Sequence, residues 1–182
     1  MKKILLFLVV MLFGSTINAQ LYVGGTAGIT TQTIKNDDES STNATYTISP
    51  EVGYMLNKTV GLGISASAGY CNMAASSGVD YSFIGIEPYV RVKFAHVGPV
   101  TFAADGVTSY AYCNLSEEDT HYNLFSLALR PAILVNMTDR LQLVARTTLF
   151  QYAHSNYDDD YDIDQINFGL LGNFGLGVYF NF

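Results

Sequence analysis

The stretch from Phe168 to Phe182, FGLLGNFGLGVYFNF, decides the fold of this chain. Bulky apolar residues fill one set of alternate positions, with Gly172 as the only small member of the set: Phe168, Leu170, Phe174, Leu176, Val178, Phe180 and Phe182. The other set is Gly169, Leu171, Asn173, Gly175, Gly177, Tyr179 and Asn181. Because successive side chains of a β-strand point to opposite faces, this alternation predicts a strand with one bulky apolar face and one smaller face.

The same alternation recurs along the chain and predicts eight strands. In VGLGISASAGY at 60–70, for example, apolar residues alternate with Gly and Ser. The predicted strands are 21–30, 45–56, 59–70, 81–94, 100–112, 122–135, 140–152 and 166–182. The connections alternate between short ones at 57–58, 95–99 and 136–139 and long polar ones at 31–44, 71–80, 113–121 and 153–165. This organisation predicts an all-β fold, an eight-stranded antiparallel up-and-down β-barrel.

The bulky faces are predicted to meet lipid rather than a protein core. An eight-stranded barrel has a lumen just wide enough to be filled by side chains, so several bulky residues from every strand would overfill it. The alternative is a soluble barrel of the lipocalin type, which would need a charged outer wall. Only 14% of the chain is charged, against about 25% in soluble domains. The pattern therefore predicts a transmembrane β-barrel with its bulky residues outside and Gly, Ser, Thr and Ala inside.

Six charged residues fall on the predicted inner faces, three of each sign: Glu51, Glu87, Asp105, Arg91, Arg130 and Arg146. If the faces were reversed, three arginines would lie in lipid, at a cost of about 2–4 kcal/mol each near the midplane. Inside, they are predicted to form a polar network that fills the lumen. Two interpretations are open: a structural salt-bridge network, and a gated or selective channel. The small lumen favours the first.

The N-terminal segment has the features of a secretory signal. Two lysines precede an apolar run at 4–13, and Ala19 fits a cleavage site before Gln20. An apolar run this short does not span a membrane as a helix. The predicted organisation is a signal peptide, 1–19, followed by one outer-membrane β-barrel domain, 20–182.

Two features carry a resemblance to a known family. One is a hairpin repeated three times, as ISPEVGYMLNKTVGL at 48–62, LRPAILVNMTDRLQL at 129–143 and a longer copy at 86–102. The other is the ending NFGLGVYFNF, whose alternate apolar residues are Phe182, Phe180, Val178 and Leu176. With these features the mature chain resembles the bacterial outer-membrane β-barrel domain family that includes OmpX and the barrel domain of OmpA.

This resemblance implies a small protein of the outer membrane of a Gram-negative bacterium. It implies insertion by the barrel-assembly machinery, which reads the C-terminal signal of Phe182, Phe180, Val178 and Leu176, and a structural or surface-interaction role rather than catalysis. Short turns and long loops predict that both termini are periplasmic and that the long loops are extracellular. Outer-membrane lipid and lipopolysaccharide are the expected partners. Acidic residues outnumber basic ones, 16 to 9, which argues against nucleic acid, and no cofactor is expected.

The predicted outer loops are acidic, and their densest cluster is YDDDYDIDQ at 157–165. Its carboxylates recur at alternate positions in a way that suits Ca²⁺ or Mg²⁺, at Asp158, Asp160, Asp162 and Asp164. The cluster lacks the Gly and the final Glu of an EF-hand loop, so a solvated, self-repelling loop is the alternative. A softer hypothesis is that divalent cations bridge these loops to lipopolysaccharide phosphates. A host surface ligand is a further candidate partner.

Catalysis is not expected from the sequence. His154-Ser155 is the nearest approach to the His–Ser–acid sites of enzymatic barrels, but adjacent strand residues point to opposite faces. Cys71 and Cys113 fall near the outer rim on the third and fifth predicted strands. Two strand spacings, about 9–10 Å, exceed the Cα separation that a disulfide spans, so bonding would require the loop ends to fold together. The sequence leaves open whether these cysteines are bonded.

The leading functional hypothesis is a small non-catalytic outer-membrane barrel. It would contribute to envelope integrity and display acidic loops for contact with ions, lipopolysaccharide or host surfaces. The alternative is a narrow pore for small solutes or ions. A third hypothesis, an enzyme at the outer rim, would depend on His154.

Overall fold

The structure is a computed structural model that describes residues 20–36, 39–72, 80–115, 121–157, 161–169 and 174–182. The predicted signal peptide, 1–19, lies outside the described residues. In the described part of the chain, every regular element is a β-strand. No helix in that part is long and apolar enough to cross a bilayer.

Ten β segments follow one another along the described chain and join one sheet. They are β1 (Gln20–Asn36), β2 (Glu39–Met55), β3 (Val60–Asn72), β4 (Tyr81–Val97), β5 (Val100–Leu115), β6 (His121–Asn136), β7 (Leu141–Thr147), β8 (Phe150–Tyr157), β9 (Tyr161–Phe168) and β10 (Phe174–Asn181). They are rich in β-branched and aromatic residues, which fit the pleated surface of a sheet.

The sheet closes into an eight-stranded antiparallel barrel. From β1 to β6 each strand pairs with the next one, and β10 pairs with β1 along Tyr22–Ile29. β7 and β8 form the seventh barrel strand, because both pair with β6. β9 and β10 form the eighth, because they pair with β8 and β7. The predicted fold class is confirmed.

The two ends of the barrel are built differently. At one end the chain reverses in short turns, and the side chains of Asn57 and Thr138 accept hydrogen bonds from backbone N–H groups that follow them. A third turn contains Gly98 at φ 58°, a left-handed conformation that glycine adopts without steric cost. We call this the turn end, and the opposite end, which bears the longer connections, the loop end.

The two faces of the strands differ in size, as the alternation predicts. On β5, alternate residues from Ala103 to Cys113 are buried inside the barrel. Large outward side chains are exposed on the barrel wall, among them Ile48, Ile64, Ile84, Ile86, Val90, Leu127, Leu129, Ile133, Leu176 and Val178. Exposed aromatic residues flank this band at Tyr46, Tyr70, Tyr110 and Tyr112 near the loop end and at Phe94, Phe180 and Phe182 near the turn end. This is the outer surface of a barrel that crosses a bilayer.

Two of the predicted loops are largely β-hairpins. The predicted loop 31–44 is paired along its described part, since β1 continues to Asn36 opposite Glu39 of β2. The predicted loop 153–165 also pairs, as β8 with β9. The prediction was wrong here because both faces of a hairpin beyond the apolar band can meet water. Neither face then needs to be apolar, and the alternation that marks a strand is lost.

The two described parts of the last barrel strand, β9 and β10, are offset in register from each other, whereas the sequence predicted a continuous strand over 166–182. Phe168 pairs with Phe150, and Phe174 pairs with Thr147. Between these two pairs the chain advances six residues along the eighth strand, from Phe168 to Phe174. It advances only three along the seventh strand, from Thr147 to Phe150. In the described residues β9 has only β8 as a neighbour, and Ile166 and Phe168 are 72% and 79% exposed. Among the residues that the structure describes, β10 is therefore the strand that closes the seam to β1.

Candidate functional site

A buried arginine among aromatic rings fills the lumen between the turn end and the loop end. Arg91 donates from Nε and Nη2 to the two carboxylate oxygens of Asp105, at 2.7 and 2.8 Å, and from Nη2 to the hydroxyl of Tyr179 at 3.0 Å. Its guanidinium carbon lies 5.4, 5.2 and 5.1 Å from the ring centroids of Tyr22, Tyr89 and Tyr179. Such rings attract a desolvated cation through their quadrupole. We call these five residues the neck.

Two glycines make room for the rings of the neck. The hydroxyls of Tyr22 and Tyr89 are hydrogen-bonded at 2.8 Å. Gly53 on β2 is paired with Tyr22, and Gly63 on β3 is paired with Tyr89. A Cβ atom at either glycine would overlap the phenol ring of its partner. The missing side chains therefore let both rings reach across the neighbouring strand into the lumen.

Apolar side chains pack against the neck on its turn-end side. Met55, Leu134 and Val144 form a buried cluster there together with Tyr22 and Tyr179. Leu134 and Val144 are at most 2% exposed. The neck and this cluster therefore occupy the lumen with buried side chains.

Two further ion pairs lie on the loop-end side of the neck. Arg130 donates from Nη1 and Nη2 to the carboxylate of Glu87, at 2.6 and 3.3 Å. Arg146 donates to Glu51 Oε2 at 3.0 Å and to Thr26 Oγ1 at 2.5 Å. Together with the arginine–aspartate pair of the neck, the six charges that the sequence assigned to the lumen form three ion pairs. The role of this network in function stays a prediction.

Above these pairs the lumen opens into a cavity of about 300 Å³ at the loop end. We call this cavity the cup. Arg130, Arg146 and Glu87 lie at its floor. Hydroxyl side chains line its wall: Thr26, Thr30, Thr45, Thr47, Ser49, Ser67, Ser109, Ser126, Thr147 and Thr148. Apolar and aromatic side chains also line it, namely Tyr81, Phe83, Tyr122, Leu124 and Phe174.

The acidic cluster at 157–165 lies partly in the β8–β9 hairpin. Asp158 and Asp160 fall outside the described residues. Asp162 accepts a hydrogen bond from Asn156 Nδ2 at 2.8 Å, so this carboxylate already has a partner across the hairpin. Within the described ranges, no three His, Cys, Asp or Glu side chains are close enough to hold a metal ion. The metal hypothesis stays a prediction.

His154 contacts an acid but shares no face with its neighbouring serine. His154 Nδ1 lies 2.9 Å from Asp164 Oδ1, and the Tyr152 hydroxyl donates to the same oxygen at 2.7 Å. His154 is paired with Phe125, whose side chain is on the outer wall, whereas Ser155 is paired with Leu124, which lines the cup. The two therefore point to opposite faces of the barrel wall, as their adjacency in a strand predicts.

The two cysteines are buried and not bonded to each other. Cys71 accepts a hydrogen bond from Thr45 Oγ1 at 3.0 Å. Cys113 is paired with Phe83 of β4 and Tyr122 of β6. The strand β4 lies between the strands of the two cysteines, which is the separation that the sequence indicated.

The tyrosines of the neck were not predicted from the sequence. Tyr22, Tyr89 and Tyr179 all lie on inner faces that are otherwise small or charged, and their bulk at those positions is the signal that identifies them. The cup was not predicted either. Its signal was the change, along the inner faces, from bulky residues near the turn end to Ser and Thr near the loop end.

Comparison with known proteins connects this geometry to a family. The family model of the outer membrane protein β-barrel domain matches residues 5–174. The chain is similar to the solved structure of Neisserial surface protein A (NspA), at 16% identity and a TM-score of 0.53, over 91% of this chain and 100% of that one. Comparison with curated proteins gives no match.

Two other solved structures share the fold. One is Ail, the attachment invasion locus protein of Yersinia pestis, in complex with the heparin analogue sucrose octasulfate, at 15% identity and a TM-score of 0.51. The other is a major outer membrane protein from Thermus thermophilus, at 12% identity and a TM-score of 0.51. Each match covers 91% of this chain and 100% of the other. At these identities the likeness extends to the fold alone.

Proposed function

Because this chain belongs to the outer-membrane protein β-barrel domain family, we propose that it is a non-catalytic, non-conducting barrel. Its roles are to support the integrity of the envelope and to present its loop end as an interaction surface. The family and the fold assign it to the bacterial outer membrane. What it does there rests on the construction of the lumen and of the loop end.

The observation that carries this proposal is the closed neck. Arg91 and Asp105 are each 1% exposed and lie against tyrosine rings and a buried apolar cluster among the described residues. A conducting barrel needs a continuous hydrated path, and an eight-stranded lumen is only wide enough to be filled by side chains. The ion pairs therefore stabilise the inside of the barrel instead of selecting ions.

The proposal includes an orientation. Short turns on the periplasmic side and long loops outside are typical of bacterial outer-membrane barrels. In this orientation both termini are periplasmic, with 1–19 removed as a signal peptide from the barrel domain 20–182. Phe182, Phe180, Val178 and Leu176 then form the C-terminal signal for the barrel-assembly machinery. The exposed outward faces of Leu176 and Val178 support this, since they remain accessible along the strand.

The loop end supports a surface-interaction role. Twelve acidic residues of the sequence belong to the loop-end connections and their hairpins, with Lys35 as the only basic one: Asp37, Asp38, Glu39, Asp80, Glu117, Glu118, Asp119, Asp158, Asp159, Asp160, Asp162 and Asp164. Divalent cations and lipopolysaccharide phosphates joined by them are partners of matching charge. Ail, which shares this fold, was solved with a heparin analogue, so a barrel of this shape can carry a surface ligand.

Bilayer conductance tests the proposal against the alternative of a narrow pore. We expect the wild-type barrel to show no steady single-channel current. Tyr22→Ala/Tyr89→Ala should introduce a current, because it empties the neck of two rings. The matched control is Tyr54→Ala, which removes a tyrosine from the outer wall of β2 and should leave the barrel silent.

A steady wild-type current that changes in Arg130→Ala or Glu87→Ala would overturn the proposal in favour of the pore. Folding of every variant is checked beforehand by circular dichroism in the same detergent. A silent Tyr22→Ala/Tyr89→Ala variant that is folded would contradict the assignment of the neck as the barrier.

A further inference from the structure

The two halves of the lumen are filled in different ways. Next to the neck on the turn-end side, Tyr22, Tyr179, Met55 and Leu134 fill the space between the strands, and an open cavity of about 970 Å³ lies beyond them at the turns. On the loop-end side, many of the inward positions hold Ser, Thr or Gly, and these small residues leave the cup of about 300 Å³. The same eight strands thus close the lumen where they carry large side chains. The cup therefore owes its space to the small residues of its wall.

The wall of the cup is rich in hydroxyl groups on several strands. β1, β2, β3, β5 and β6 each contribute Ser or Thr, so the hydroxyls surround the cavity. On one side Ser109 Oγ and Ser126 Oγ are 2.6 Å apart, and Gln151 Nε2 donates to Ser126 Oγ at 3.4 Å. Each hydroxyl can both donate and accept. Such a wall matches a ligand that presents hydroxyls in several directions.

One part of the wall is aromatic. Tyr81 and Tyr122 meet edge to face with their centroids 6.4 Å apart, and Tyr81 lies 6.4 Å from Phe83. All three line the cup. A saccharide ring has C–H groups on its faces and hydroxyls at its edge, so it can pack a face against aromatic rings while its edge reaches polar groups.

The charges of the cup cancel. Arg130 is paired with Glu87 and Arg146 with Glu51, so the floor has no net charge. The loop-end connections are acidic in sequence. An anion is therefore repelled on approach and meets no uncompensated cation inside. Glucuronate and other acidic sugars are disfavoured relative to neutral ones.

We propose that the cup is a binding site for one unit of a neutral saccharide. The sugar packs a face against Tyr81 and Tyr122, and its hydroxyls bond to the Ser and Thr wall and to the side chains of the floor. The cavity volume lies at the lower end of the range for small-molecule sites, which limits the bound part to a single ring. The sugar is either free in the medium or part of the saccharide of lipopolysaccharide.

This inference deepens the proposed surface role, and it rests on that role only in requiring the loop end to be accessible. It does not require the neck to be closed. If the barrel conducts and binds sugar, the proposed non-conducting function is wrong and the sugar site stands. If the barrel does not conduct and binds no sugar, the sugar site is wrong and the non-conducting function stands.

The test uses the full-length barrel in lipid nanodiscs without lipopolysaccharide. Glucose, galactose and N-acetylglucosamine are titrated, with glucuronate as the charged analogue, and binding is followed by saturation-transfer NMR. We expect saturable binding of at least one neutral sugar and weaker binding of glucuronate. Nanodiscs that contain lipopolysaccharide separate the two sources: loss of monosaccharide binding there identifies lipopolysaccharide, and retention identifies a soluble saccharide.

A matched pair of variants tests the location of the site. Thr47→Leu places a branched side chain in the cup and should weaken binding by about tenfold or more, the change that a loss of roughly 1.4 kcal/mol produces. Thr108→Leu makes the same change on the outward face of β5 and should leave binding intact. The inference is overturned if no neutral sugar binds saturably, if glucuronate binds as well as glucose, or if the two folded variants bind equally.

Discussion

At the residue scale, the neck depends on complete pairing of a buried charge. Arg91 uses Nε and Nη2 for Asp105 and Nη2 also for Tyr179. Removing one partner of a buried pair leaves an uncompensated charge and costs several kcal/mol, about 3–5. Asp105 neutralises the guanidinium, and the three tyrosine rings around it stabilise the cation further through their negative π faces. This explains how a charge with 1% exposure is tolerated inside the barrel.

A single glycine under a tyrosine ring gives a prediction at the same scale. The Tyr89 ring lies over Gly63, and an added Cβ would overlap it. We expect Gly63→Ala to push the ring aside, weaken its hydrogen bond to Tyr22 and lower the free energy of unfolding by about 1–3 kcal/mol. Equilibrium unfolding in urea from lipid vesicles measures the change.

The control for this prediction is Gly106→Ala. No atom lies within 4 Å of a Cβ built at Gly106, which faces outward on β5, so the change should stay within about 0.5 kcal/mol. Equal effects of the two substitutions would mean that the loss at Gly63 comes from backbone propensity and not from the ring.

At the element scale, each strand separates two environments by alternation alone. Along β4, Arg91 points inward between Val90 and Val92, which are 45% and 40% exposed on the outer wall. The same element carries Val97, 68% exposed beside the turn. On this strand Val90 therefore lies at mid-depth, and Val97 lies at the edge of the apolar band.

Arginine substitutions along β4 test whether lipid surrounds it. We expect Val90→Arg to destabilise the barrel by about 2–4 kcal/mol, because the charge enters the hydrocarbon near the midplane. Val97→Arg, the control on the same strand, should cost about 0–1 kcal/mol, since it lies at the interface. Folding equilibria in vesicles measure both. Equal costs at the two depths would argue against a bilayer around this wall.

At the scale of the whole molecule, closure depends on one short seam. β1 meets β10 along Tyr22–Ile29, whereas β1 and β2 are paired from Gln20 to Asn36. Toward the loop end, β9 has only β8 as a neighbour in the described residues. An open sheet edge in hydrocarbon costs several kcal/mol for each unsatisfied group. The unpaired edge of β9 is therefore expected to lie beyond the hydrocarbon.

Two deletions test this division of the eighth strand. Replacing residues 156–162 by an Asn-Gly turn shortens the β8–β9 hairpin and should leave the barrel folded, because no other described strand pairs with β9. Removing 174–182 deletes the partner of β1 and should abolish folding, because the barrel loses its closing seam. Circular dichroism and resistance to added protease after refolding in detergent measure both outcomes.

The two deletions contradict this account if they have the same effect. A folded barrel without 174–182 would mean that β9 can close the seam. An unfolded barrel without 156–162 would mean that the hairpin takes part in closure. A deletion in the β1–β2 hairpin, beyond Thr31, is the control for shortening any loop-end hairpin.

The sequence by itself determined the number of barrel strands, the identity of their two faces and the position of the short turns. These features follow from the alternation of side chains along each strand and from the lengths of the connections. Which face points inward follows from the small volume of an eight-stranded lumen. It also placed six charges inside. The two hairpin extensions were not predicted, because water on both faces removes the alternation.

Only the tertiary structure decided which inner residues meet. The partners of Arg91, Arg130 and Arg146 come from strands 14 to 95 residues away in sequence, and the pairing depends on the relative stagger of all the strands around the barrel. The same stagger brings the tyrosines together in the neck, leaves the cup on their loop-end side and pairs β10 with β1. A pattern read along one strand contains no information about stagger between strands, which is why these features appear only in the closed barrel.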